Sequence, residues 1–203
     1  MPAILNRRRI AFKKFLNRYM GLPLTQLQPQ LQWDDMADAG LVPALEQLAR
    51  QLFPHSGARR PEPEPVAIEV RGIALAFDEE ISFSHYRFQS LQSPLYNMPF
   101  VPQLERYKAY CQFWGDIIGQ QESIAISRIL RMRALQDFMQ DMLPVVYHMP
   151  LLRVSVYDQL GPEGQGKNLH EIFSDERTDY YPLVADKITL ELETLDAQFF
   201  PYY

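Results

Sequence analysis

Between Ile73 and Phe77 the chain runs through five residues without one polar side chain, and it leaves that run through Asp78, Glu79 and Glu80. A segment this short and this apolar reads as a strand buried on both faces, because a buried helix needs roughly 10–12 residues. Just upstream, Val66, Ile68 and Val70 alternate with Ala67, Glu69 and Arg71, and Gly72 permits a tight turn. The two runs together predict a β-hairpin whose second strand is interior and ends in acid. An interior strand needs further layers to cover it, which rules out an all-helical chain.

The rest of the chain supplies those layers. Residues 3–20 read as a helix that stops near Gly21 and Pro23, and a second helix runs from Pro43 to Phe53 on the stripe Leu45, Leu48 and Leu52. Pro61, Pro63 and Pro65 then alternate with Glu62 and Glu64, an extended run that cannot continue a helix. It marks the expected hinge between a helical N-terminal segment, residues 1–60, and a body, residues 61–203. Residues 81–101 look irregular. Leu104, Tyr107, Cys111, Trp114 and Ile118 fall at spacings of three and four, as an amphipathic helix requires. A longer helix follows from Ser123 to Met142, with Arg128, Arg131 and Arg133 outside its densest apolar stripe. Leu152, Val154 and Val156 alternate as a third strand, and Ile188, Leu190 and Leu192 as a last one. The expected fold is α/β or α+β: a small central mixed sheet of at least four strands, flanked by helices.

A single cysteine, Cys111, excludes an internal disulfide framework and fits a reducing, cytoplasmic setting. It lies among helix-spaced apolar residues, so a buried inert thiol is expected. No stretch reaches the roughly 18 apolar residues of a membrane span. The net charge of −5 argues against coating nucleic acid by bulk electrostatics. Yet Arg7, Arg8, Arg9, Lys13, Lys14 and Arg18 crowd the first helix without an acidic neighbour. Such a face can meet phosphate, an anionic surface or an acidic partner, or simply stay solvated while Ile10, Phe12, Phe15, Leu16 and Tyr19 dock inward.

Among motifs, GPEGQGK over residues 161–167 has the glycine and lysine spacing of a phosphate loop, but Asn168 stands where a magnesium-holding hydroxyl is needed. A surface loop is the expectation. The histidines His55, His85, His148 and His170 form no pair at metal-ligand spacing, and no serine sits in a nucleophile elbow. The acidic strand end remains. Carboxylates from neighbouring strands can hold a hard divalent cation, which activates water and stabilises a phosphodiester in displacement. Asp78 and Glu69, meeting across the hairpin, are the candidate metal ligands, with Glu80 on the same face if the strand continues. The plain alternative is an acidic start to a solvated loop.

FDEEISFSHYRFQSLQSPLY and the following FVPQLERYKAYCQFW give this segment its character. They resemble a group of uncharacterised bacterial proteins related to the PD-(D/E)xK nuclease superfamily. Phe77-Asp78-Glu79, Phe83, Tyr86-Arg87, Leu95-Tyr96 and Tyr107-x-x-Tyr110-Cys111 carry the resemblance over about forty residues. It implies a restriction-endonuclease-like fold, Mg²⁺ or Mn²⁺ as cofactor, and DNA or RNA as substrate. Two departures weaken the chemistry. Ala76 stands where the group has a strand acid, and Ile81-Ser82 where it has Gln-His, with no lysine nearby to orient water.

Three readings follow. The chain is a metal-dependent nuclease using Asp78, Glu80 and Glu69, with Arg7, Arg8, Arg9, Lys13, Lys14 and Arg87 on the nucleic acid. Or it is a catalytically impaired nuclease fold that binds nucleic acid or assembles with a protein partner or as a homodimer. Or it is an unrelated interaction protein whose aromatic segment from Phe83 to Phe100 and FFPYY tail form a contact surface.

Overall fold

The computed structural model describes residues 2–24, 31–54, 68–97, 103–120, 123–161 and 166–200. In chain order these form α1 (Pro2–Lys14), continued by a π turn (Phe15–Tyr19), then α2 (Trp33–Asp38) and α3 (Val42–Leu52). β1 (Ile68–Val70) and β2 (Ile73–Asp78) follow, then a 3₁₀ turn (Glu80–Ser82) and α4 (His85–Ser90). After a 3₁₀ turn (Pro94–Asn97) come α5 (Leu104–Gly119), α6 (Ile124–Asp141), α7 (Leu143–Tyr147) and β3 (Leu151–Ser155). β4 (Gln159–Leu160), β5 (Lys167–Asn168), α8 (Leu169–Ser174) and α9 (Tyr181–Phe199) complete the order. The protein is mixed α/β, as expected.

The chain divides into two compact units. The first comprises Met1–Leu27, Ala67–Glu79 and Pro150–Tyr203, and the second Gln28–Val66 and Glu80–Met149. This differs from a division near residue 60, because α1 belongs with the sheet. The proline-rich hinge lies outside the described residues.

In the first unit, β1 and β2 pair antiparallel through Arg71 and Gly72, whose φ angles of 54° and 79° are both left-handed. Two such residues in succession are what a two-residue hairpin turn with matching twist requires. β3 adds parallel to β2, giving the order β1-β2-β3 with β2 central. All six residues of β2 are buried, as its sequence demands. Phe77 stacks on Phe12 of α1, with ring centroids 4.5 Å apart, and meets Phe173 of α8 edge-on at 5.9 Å. β4 and β5 form a separate two-stranded antiparallel ribbon. The closing strand expected at Ile188–Leu192 is instead the middle of α9. Val184, Ile188, Leu192 and Leu195 face inward at helical spacing, while Leu190 is 65% exposed. The apparent alternation was a coincidence of that stripe with one surface leucine.

In the second unit, α4 packs against both α5 and α6, and α3 packs against α6. Residues 81–97 are thus not irregular, and 98–101 lie outside the described residues. Ser84 caps α4 by accepting the Arg87 backbone N–H at 3.2 Å. Gly115 lets α5 come close: a Cβ there would stand 3.0 Å from the His85 backbone nitrogen. Phe83 packs with Tyr107 and Tyr110, and Cys111 is buried, as expected. Phe83, Tyr86 and Tyr96 are therefore interior rather than a contact surface, and residues 98–100 and 201–203 lie outside the described residues.

Candidate functional site

The carboxyl ends of the parallel strands β2 and β3 bring the charged residues of the first unit together. The register pairs Ala76 with Arg153 and Asp78 with Ser155. Arg153 and Asp78 therefore share a face, one residue pair apart on the diagonal, and the small Ala76 leaves room between them. The Arg153 guanidinium reaches along the sheet and donates from Nη1 to both oxygens of Asp78, at 2.8 and 2.9 Å. Asp78 is fully buried and Arg153 is 6% exposed. A carboxylate in that setting is stable only if paired, and this one is.

Glu79 solves the same problem with two arginines. Arg9 Nε lies 3.0 Å from one oxygen, and Arg8 Nε 3.7 Å from the other, an ion pair beyond hydrogen-bond reach. Arg8 is itself buried and donates from Nη1 to His170 Nδ1. Nearby, Asp158 accepts the Ser155 backbone N–H at 3.3 Å and lies 3.6 Å from Lys187, which also contacts Glu191 at 2.6 Å.

Glu69 does not join Asp78. It pairs with Ala74, four residues from Asp78, which at about 3.3 Å per residue places the two some 13 Å apart along the sheet. Glu80 opens a 3₁₀ turn, so the strand alternation that would align it with Asp78 has already ended. Among the described residues no three His, Cys, Asp or Glu side chains converge as a metal ion needs. With both oxygens of Asp78 held by Arg153, the donor set as it stands does not fit Mg²⁺ or Mn²⁺.

The expected nucleic-acid face divides in the same way. Arg7, Lys13 and Lys14 are exposed, with Arg7 3.5 Å from Glu176. Arg8 and Arg9 are committed to Glu79. Arg87 is buried in the second unit, 2.5 Å from Asp141 Oδ2, and also donates to Ser90 at 3.1 Å and Tyr96 at 3.0 Å. Tyr96 donates to the same carboxylate oxygen. Arg133 is likewise interior, paired with Asp137 at 2.9 Å and donating to Ser82 at 3.1 Å. Arg131 lies over the Tyr86 ring and donates to the Leu52 carbonyl. Arg87 and Tyr96, two of the residues that carried the nuclease resemblance, thus build a core network. Of the phosphate-loop pattern, residues 162–165 lie outside the described residues, while Lys167 pairs with Glu171 at 2.7 Å and Asn168 forms with Glu171 the capping box that starts α8.

Sequence reasoning missed Arg153, the partner that decides the fate of Asp78. Its one signal was an arginine inside an otherwise apolar strand, between Leu152 and Val154.

A profile of a family of unknown function (DUF7255) matches residues 127–175, 49 of the 203 residues. The matched stretch carries most of α6, all of β3 and α8, and with them Arg133, Asp137, Asp141, Arg153, Asp158 and His170. No curated protein and no solved structure is detectably similar to the chain.

Proposed function

We propose that this chain is a binding and assembly module, in which the strand-end acids of a nuclease-like sheet serve stability rather than catalysis. The observation that carries this reading is the two-oxygen grip of Arg153 on the buried Asp78. A cation at Asp78 would have to displace that guanidinium and strand Arg153 without its counter-charge, a cost of several kcal/mol. Glu79 is held in the same manner by Arg8 and Arg9. Metal-dependent cleavage through Asp78, Glu69 and Glu80 is accordingly the weaker reading.

A second reading, contact with DNA or RNA phosphates, is favoured by the exposed cations on the outer side of α1 and its π turn. Lys13, Lys14 and Arg18 have no ion pair among the described residues. Three phosphate contacts would give a salt slope of only about −2 to −3, a weak non-specific binder.

The test is calorimetric titration of Mg²⁺ and Mn²⁺ into the wild type and Asp78→Asn, beside a plasmid-cleavage assay. Neither protein should bind metal at the strand end or cut. Cleavage by the wild type that disappears in a folded Asp78→Asn variant would return the chain to the nucleases.

A further inference from the structure

Among its described residues the first unit leaves four large apolar side chains exposed: Ile10 at 46%, Tyr19 at 49%, Leu183 at 43% and Leu190 at 65%. They fall on just two helical faces, and those faces carry opposite charge. On α1, Arg7, Ile10 and Lys14 succeed one another at spacings of three and four, with Lys13 beside them and Arg18 and Tyr19 on the following π turn. On α9, Leu183, Asp186, Leu190 and Glu193 repeat at the same spacings. Each face is an apolar seam whose exposed charges are of one sign, Lys187 on α9 being largely buried against Asp158 and Glu191, the arrangement by which paired helices choose partner and orientation. Arg7 lies 3.5 Å from Glu176, but Lys13, Lys14, Arg18, Asp186 and Glu193 have no ion pair among the described residues.

The π turn that continues α1 also touches the start of α9. Tyr181, at the start of α9, meets Phe15 and Tyr19 of the π turn edge-on, with centroids 4.9 and 5.4 Å apart. A surface that carries a feature and its complement side by side can pair with itself about a two-fold axis, making the contact twice. Doubling is how two single-helix faces reach the roughly 1,200 Å² of a stable interface.

We propose that the protein forms a two-fold homodimer in which the basic face of α1 in each copy lies on the acidic face of α9 in the other. Ile10 packs against Leu190 and Leu183 across the contact, and Lys13 and Lys14 pair with Asp186 and Glu193. This deepens the assembly reading above, and rests on it, by naming the partner as a second copy of the chain.

The test is sedimentation velocity on the full chain and on two charge-reversed variants, Lys13→Glu/Lys14→Glu and Asp186→Lys/Glu193→Lys. Every changed residue is exposed, and circular dichroism checks the fold of each variant. The wild type should dimerise with an affinity that weakens about tenfold or more as salt screens the ion pairs. Each variant alone should be monomeric, since like charges then face each other. An equimolar mixture of the two should recover the dimer, because an acidic α1 then meets a basic α9 at one contact and a basic α1 meets an acidic α9 at the other. A monomeric wild type, or variants that dimerise as the wild type does, would overturn the proposal. So would a wild type that stays monomeric and retains a labelled oligonucleotide, with retention lost in Lys13→Glu/Lys14→Glu, since the basic face would then serve phosphate. A monomer that neither binds metal nor cuts sinks the dimer alone, whereas Asp78-dependent cleavage sinks the assembly reading whatever the oligomeric state.

Discussion

Arg87 shows how a charge can be a core residue. Its guanidinium meets Asp141, Tyr96 and Ser90 inside the second unit, and the planar fork serves several acceptors at once. Arg87→Ala strands the buried Asp141, so it should cost about 3–5 kcal/mol in urea unfolding. Arg87→Lys keeps the charge but not the fork, and should recover only part of that loss. The Tyr147 hydroxyl offers a pH-dependent counterpart. Burial first, and then its hydrogen bond to Asp35, raise its pKa above the ordinary phenol value of about 10. A raised pKa means that this stabilisation is whole below the unfolded value and lost as pH climbs from it through the folded one. The melting temperature of the wild type should therefore fall faster above about pH 10 than that of Tyr147→Phe, in parallel thermal scans. Equal slopes would assign no role to the hydroxyl. None of these interior charges was legible in the sequence. A charged residue is buried or exposed according to its partner, and Asp141 lies 54 positions from Arg87.

At the scale of elements, periodicity worked where an element was long or fully buried. β1, β2, β3, α5 and α6 lie close to where their patterns placed them, although on α6 the expected stripe residues Ile126 and Ile129 are exposed and Arg133, expected outside the stripe, is buried. α4 has only six residues and depends on the Ser84 cap and on packing with α5 and α6, so it left little pattern to read. α9 was misread because Leu190 stands exposed between Ile188 and Leu192. A direct check follows. Ile188→Ala should cost about 2–5 kcal/mol in urea unfolding, as a truncated core side chain does. Leu190→Ala should stay within about 0.5 kcal/mol, as an exposed change does. A strand buried on the 188-190-192 side would make the two losses equal.

On the scale of the whole molecule, the two units are woven from discontinuous stretches. β2 enters the sheet of the first unit, the chain then builds most of the second, and β3 returns to pair with β2 in parallel. A reading along the chain sees the proline-rich run and places a boundary there, but only the long-range pairing of β2 with β3 assigns residues to units. The same pairing puts Arg153 beside Asp78, which is why the acidic strand end looked open from sequence and is closed in the fold. The functional claim thus turns on one ion pair. The most direct test is urea and thermal unfolding of the wild type, Arg153→Met, Asp78→Asn and Asp78→Leu/Arg153→Met, with and without Mn²⁺. The account predicts that Arg153→Met loses about 3–5 kcal/mol by stranding the Asp78 carboxylate, that the paired apolar replacement regains most of it, and that Mn²⁺ leaves every transition unmoved. A tolerated Arg153→Met, together with a Mn²⁺-dependent rise in the wild-type midpoint that Asp78→Asn abolishes, would contradict it and make Asp78 a metal ligand.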